Sequence, residues 1–498
     1  MIASLLASPD RRPDVAAALL LGLATALYTG LNTYRLAHFY PLDFDLAIFG
    51  QGVWLLSRGE TPFVTIRGLN LFGEHATWIH LPVAVLYAVL GSLADVRVLV
   101  ILQSGALALA GHFLYRIARR ELGATLAVLV LLSYLAYPAL QHTWLEYYEP
   151  VNLAVPCLVA AAQAVRERRD RPAFLWSLLA LATVENIAAT VAALGLLALV
   201  VGRRRLGLLL IAVATAYIAL VMRVTFPWLS PHGYVFADRL YGDFARSLPE
   251  AAVHLARPDH LLGRLFTVAN GHYLLGLFVP VAFLPLAAPV TLMAAAQLPL
   301  NLVSSWPYAH EIRYHYVAPI IPFVFLSLVR ALALCPPASS HRRWAAGALV
   351  IGLVAGQWAY GSAWIVPREG MGGHWRGREA DARERAETRA LLDLVPSDAS
   401  VSVHYRFLPA LCQRSRLFMF PDTGPRGTWP DALLLEEERL ATSARDLAVF
   451  ERARMTAAYW EAGRTSSGTV LLFRGGFSGS PEEPSPLRRS PPVARPLP

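Results

Sequence analysis

RERRDRPAFLWSLLALATVENIAATVAALGLLALVVGRRR, residues 166–205, decides the architecture. Arg166, Arg168, Arg169 and Arg171 precede an apolar run from 173 to 202, and Arg203, Arg204 and Arg205 close it. Basic residues stay on the cytoplasmic side of a bilayer, so both ends of the run lie on one side. A span needs about 20 apolar residues to cross roughly 30 Å of hydrocarbon. The run is long for one crossing and short for two, and parity demands an even number. It therefore reads as two short helices with a tip at Glu185-Asn186.

The same rule extends outward. Arg11 with Arg12, then Arg116, Arg119 and Arg120, then Arg342 with Arg343, fall on the same side. Between these clusters lie apolar segments at 13–35, 96–118, 122–140, 151–166, 206–226, 272–288, 289–305, 316–335 and 344–365. With the hairpin they predict about eleven spans, N-terminus inside and C-terminus outside. Segment 78–91 would break this parity, so it reads as a surface or half-inserted helix in a large first outer loop, 37–95. The outer side then collects that loop, 141–150, the tip at Glu185, 227–271 and 306–315. These hold most of the acids and histidines found between spans. An acid within a membrane is costly unless it faces a cavity, and Glu185 points to the same face.

Composition agrees. Of 498 residues 55% are hydrophobic and 16% charged, with a mean hydropathy of +0.44. Soluble domains carry about a quarter charged residues. All 44 basic residues are arginine. Without lysine the chain has neither a P-loop lysine nor a lysine Schiff base, which excludes Walker-type pumps and most pyridoxal chemistry. The net charge of +9 sits between apolar runs, where it sets topology and does not imply nucleic acid binding. Cys157, Cys335 and Cys412 form no CxxC pair, which argues against a disulfide framework or zinc site. The first apolar run lacks a small-residue cleavage site and reads as a retained span.

The expected fold is an all-α polytopic membrane domain over 1–366, followed by a small extracytoplasmic α/β domain over 367–480. In the latter, 375–395 reads as an exposed helix and 407–412 as a helical turn. Strands are expected at 401–405, 416–420, 432–435 and 469–473. The proline-rich 481–498 reads as disordered.

Candidate chemistry lies in the outer loops. Asp43 and Asp45 follow the first span, two residues apart, and can accept a proton from a hydroxyl or bind a divalent cation. No other cofactor is implied. Asp45 also stands where a helix N-cap would, which is its structural alternative. Glu74-His75 and His80 follow. Glu146 and Glu149, among belt aromatics, could join the aspartates in a carboxylate cluster. Arg313 offers a fork suited to phosphate, and is equally an ordinary anchor at a helix end; His315 is its neighbour.

FDLAIFGQGVW at 44–54, NLFGEH at 70–75, LQSGALALAGHFLYRIAR at 102–119, YHYVAPIIPF at 314–323 and LVPSDASVSVHYRFLPALCQRSRLFMFP at 394–421 resemble domain-of-unknown-function family 2079. The arrangement also resembles the C-type glycosyltransferase superfamily, whose members transfer sugars from polyprenyl-phosphate donors outside the cytoplasm. The resemblance implies that Asp45 is the first-loop acid and acceptor-side base and that Glu146 or Glu149 is the second-loop acid; Asp43, two residues before Asp45, is the further catalytic candidate. It implies a lipid-phosphate contact for His75 and a later phosphate contact for Arg313 or His315; Gln51 and Glu185 are the further substrate-binding candidates. The chain departs from its kin in lacking a lysine near the phosphate and an acid after Asp45. It also has Tyr148-Glu149-Pro150 for His-Pro-Glu and Val184-Glu185-Asn186 for Lys-Glu-Asp. The expected function is a glycosyltransferase of the cell inner membrane, moving a sugar from a polyprenyl phosphate to an extracytoplasmic glycan, lipid or protein. The alternative is a transporter or lipid-handling protein using the same outer cavity.

Overall fold

The structure is a computed structural model that describes residues 12–39, 44–362, 382–425 and 428–477. Helix α1 (Arg12–Ala37) has Asp14 in its first turn and Arg35 in its last, both favourable to its dipole. Helix α2 (Asp45–Ser57) is buried over most of its length. A two-residue hairpin, β1 (Phe63–Val64) and β2 (Leu69–Asn70), leads to α3 (His80–Ala94). Helix α3 packs on α2, burying Val83, Ala84 and Tyr87 and turning Leu81, Val85, Val89 and Leu93 outward. It is the helix expected near 78–91. Helix α4 (Arg97–Leu122) then runs to Gly123.

The run 122–140 does not stay straight. Pro138 has no N–H, and its ring forces Tyr137 into an extended conformation, ψ 119°. Helices α5 (Ala124–Leu135) and α6 (Pro138–Leu145) therefore meet at 50°. After α7 (Ala154–Arg166) come α8 (Asp170–Leu181) and α9 (Ile187–Val200), the two short helices expected from 173–202. Arg203 donates from Nε to Asp170 Oδ1 at 3.0 Å and closes the base of this hairpin. Helix α10 (Arg204–Leu220) returns against α9. A Cβ on Gly195 would stand 2.8 Å from the Gly207 carbonyl oxygen, so these backbones meet because neither residue has a side chain.

Length revises the span count. Among the described residues three helices are long and apolar enough to cross a bilayer, Arg12–Ala37, Arg97–Leu122 and Arg204–Leu229. The bent pair makes four, against the expected eleven or so. An apolar run is not necessarily one helix. Helices α8 and α9, of 12 and 14 residues, rise only about 18–21 Å. Pro280, Pro285 and Pro289, with Ala282 and Phe283 at φ 51° and 56°, break the runs 272–288 and 289–305. What survives there is Val268–Phe278 and, after the break, α11 (Gln297–Val303).

In the tail, α12 (Ala382–Asp393) occupies the described part of 375–395. Each of the four expected strands is present as β3 (Val401–Val403), β4 (Leu417–Met419), β5 (Ala432–Glu436) and β7 (Thr469–Arg474). A fifth strand, β6 (Tyr459–Arg464), and a helix at Ala444–Ala457 were not expected. The sheet order is β4-β3-β5-β7-β6; β3 pairs in parallel with β4 and β5, and β7 is antiparallel to β5 and β6. The residues 481–498 expected to be disordered lie outside the described ones.

One face of this sheet shares its core with the first outer loop. Val401, Val403, Leu417 and Phe473 join Leu46, Phe49, Val53 and Tyr87 in one buried cluster. Gln51 on α2 crosses the junction, donating to Thr65 Oγ1 and to the Arg414 carbonyl, both at 2.9 Å. Thr65 Oγ1 in turn donates to the Leu417 carbonyl at 2.7 Å. Gln51→Ala removes the buried donor to the Arg414 carbonyl and is expected to cost about 1–3 kcal/mol. The loss should appear as a lower unfolding midpoint with faster limited proteolysis after residue 394. An unchanged midpoint and cleavage pattern would show that the bonds do not hold the tail.

Candidate functional site

The tip of the α8–α9 hairpin carries the first half of the site. Glu185 is buried, 2% exposed, between Thr183 and the start of α9. Its Oε1 lies 2.9 Å from His75 Nδ1, and its Oε2 accepts the Ala76 N–H at 3.1 Å. The His75 ring stacks on Phe236 with centroids 4.4 Å apart. Burial works against a charged imidazole here. The charge and hydrogen bond of Glu185 outweigh it, with Glu74 and Asp45 adding, so the His75 pKa is raised. Glu74 is itself paired with Arg67 at 2.7 Å.

The second half comes from the loop after α6. Gln103 on α4, fully buried, donates to the carbonyls of Thr143 and Glu146 and accepts from the Glu149 N–H at 2.7 Å and Asn152 Nδ2 at 2.9 Å. One amide thus fixes the backbone that carries both acids. His315 Nδ1 stands 3.4 Å from Glu146 Oε1 and 3.6 Å from Glu149 Oε1. Burial raises the Glu146 pKa, and the charge and hydrogen bonds of His315 pull against it.

A cavity of about 400 Å³ joins the halves. Its polar lining includes His75, Glu185, Glu149 and His315, with Tyr234 and Tyr316. Part of its lining is apolar: Ala188, Ala189 and Ala192 of α9, with Ala214 and Ile218 of α10. A relay of amides crosses it. Asn186 donates to Gln297 at 2.9 Å, Gln297 to Asn301 at 2.7 Å, and Asn301 to Tyr273 Oη at 2.8 Å and the Tyr316 carbonyl at 3.0 Å. Arg239 also lines the cavity and rests on the rings of Phe236 and Trp306. Among the described residues it makes no ion pair.

Asp45 is the first residue of α2; Phe44 is the N-cap, and no side chain caps this helix. Half-buried, Asp45 lies one turn before Phe49, a cavity residue, and within electrostatic reach of His75, Glu146 and Tyr316. Asp43 lies outside the described residues. Gln51 is committed to the tail, and Arg313 pairs with Glu311; neither lines the cavity. Among the described residues no group of three His, Cys, Asp or Glu side chains can hold a metal ion.

The family model described as predicted membrane protein, DUF2079, matches residues 35–463. The chain belongs to this family. No curated protein sequence matches it. The crystal structure of ArnT from Cupriavidus metallidurans bound to undecaprenyl phosphate aligns with a TM-score of 0.53 and 14% identity, covering 93% of this chain and 99% of that one. At such identity the likeness shows fold alone: this DUF2079 protein has a C-type glycosyltransferase-like membrane fold with a small sheet domain at its C-terminal end. Sequence reading of the DUF2079 chain missed Gln103, Arg239, Gln297 and Asn301. Three of them are amides, and each interrupts an apolar run at LQSGALA or QLPLN. That is the signal that could have exposed them.

Proposed function

We propose that this protein is a membrane glycosyltransferase that takes a sugar from a polyprenyl phosphate and passes it to an acceptor hydroxyl. The observation that carries this reading is one cavity with two kinds of lining: apolar residues of α9 and α10, and the polar His75, Glu185, Glu149 and His315. An isoprenoid chain suits the apolar lining, and a phosphate-linked sugar suits the polar one. The likeness to a fold seen with undecaprenyl phosphate supports the same class of lipid.

In this reading Asp45 takes the proton of the acceptor hydroxyl, and the oxygen forms a bond to the anomeric carbon. The bond from that carbon to the phosphate oxygen breaks, and the lipid phosphate leaves with the electron pair. His75, whose pKa Glu185 raises, and Arg239 offset the growing charge; Arg239 takes the place that sequence reading gave to Arg313. Because phosphate is already a good leaving group, positioning and positive charge suffice. The sidedness we propose follows the arginines: inner membrane, site and tail outside.

The test is release of labelled sugar from a panel of polyprenyl-phosphate sugars by the full chain in lipid vesicles. Release supports the reading. Binding of the panel without release would replace it with lipid handling or transport, and absence of binding would remove both.

A further inference from the structure

We infer a second lipid site at the other end of α4, one that holds the phosphate headgroup of an anionic diacyl phospholipid. His112, Arg116 and Arg120 recur every four residues and share one face of α4. They border a cavity of about 320 Å³ between α4, α7 and the start of α8. Arg169 enters from the α7–α8 turn. The one acid lining the cavity, Glu167, lies 3.4 Å from Arg120 and 3.2 Å from Arg169. Three guanidinium groups thus face a single carboxylate. Arg116 is exposed and makes no ion pair among the described residues.

The same cavity has an apolar flank. Phe113 and Trp176 meet edge to face with centroids 5.9 Å apart, and both line it. Helix α8 begins at the rim with no side-chain cap, so its free N–H groups add partial positive charge there. Arginines beside aromatic and apolar walls, at the end of a spanning helix, match a phosphate with acyl chains better than a free anion. Basic pockets between spans bind headgroups in this way. Along α4 the site runs from about 14 Å (His112) to about 26 Å (Arg120) from Gln103, at roughly 1.5 Å per residue, and shares no lining residue with the first cavity. It is therefore separate from the sugar-transfer cavity and does not depend on that reading.

The experiment is native mass spectrometry of the full chain with phosphatidylglycerol or phosphatidylcholine. Preferential retention of phosphatidylglycerol is expected, about 30-fold weaker in Arg116→Gln/Arg120→Gln and unchanged in Arg204→Gln/Arg205→Gln. Arg120 also pairs with Glu167, so Arg116→Gln alone guards against misfolding and should weaken retention about fivefold. Equal retention of the two lipids, or retention indifferent to Arg116, would overturn the site. Displacement by millimolar inorganic phosphate would reduce it to a general anion site.

Discussion

Asp45→Asn is expected to lower sugar transfer about a thousandfold, within the range of roughly 10²–10⁴ for a lost general base, while leaving the fold intact. The structure separates the two roles the sequence left open. An N-cap aspartate would accept a backbone N–H, and its loss would cost about 1 kcal/mol. Asp45 instead sits inside the first turn with Phe44 as the cap. Asparagine there gives up a favourable charge at the helix N-terminus, worth about 0.3–1 kcal/mol. Transfer rate and unfolding midpoint measured on the same preparation decide the matter. A rate that falls only in proportion to unfolded protein would make Asp45 structural. Full activity in Asp45→Asn, with loss in Glu149→Gln, would move the base to the second loop.

The hairpin was legible because arginine placement and run length both constrain residues 166–205. The full span count was not, because hydropathy adds residues irrespective of backbone breaks. Pro138, and the prolines at 280, 285 and 289, were visible in the sequence; the positive φ of Ala282 and Phe283 was not. The tail's β6 was missed for a different reason: Glu461, Gly463 and Arg464 hide its alternation, and no residue of it is fully buried. The site was half legible. Acids and histidines in outer loops flagged His75, Glu185, Glu149 and His315, which the fold brings to one cavity. Nothing local could show that Gln51 would serve the tail, since its partner Arg414 is 363 residues away.

His315→Leu is expected to destabilise the protein and to change how stability depends on pH. His315 lies within 4 Å of two buried carboxylates, Glu146 and Glu149, whose side chains are 7% and 6% exposed. Removing the partner of a buried charge costs about 3–5 kcal/mol when the charge stays. The carboxyls have an alternative, which is to hold a proton. Burial already raises the Glu146 pKa above its ordinary 4.5, and loss of His315 removes what pulls it down. A folded state that keeps a proton released on unfolding is stabilised below the ordinary value, and that stability is lost as pH rises through the raised one. The variant should therefore approach wild type in acid and fall behind it as pH climbs. Unfolding midpoints across that interval test this, with Glu146→Gln added to His315→Leu as the control. Recovery of the midpoint at neutral pH in the double variant would assign the cost to the stranded carboxylate. A deficit equal at every pH, untouched by Glu146→Gln, would assign it to lost packing of the ring.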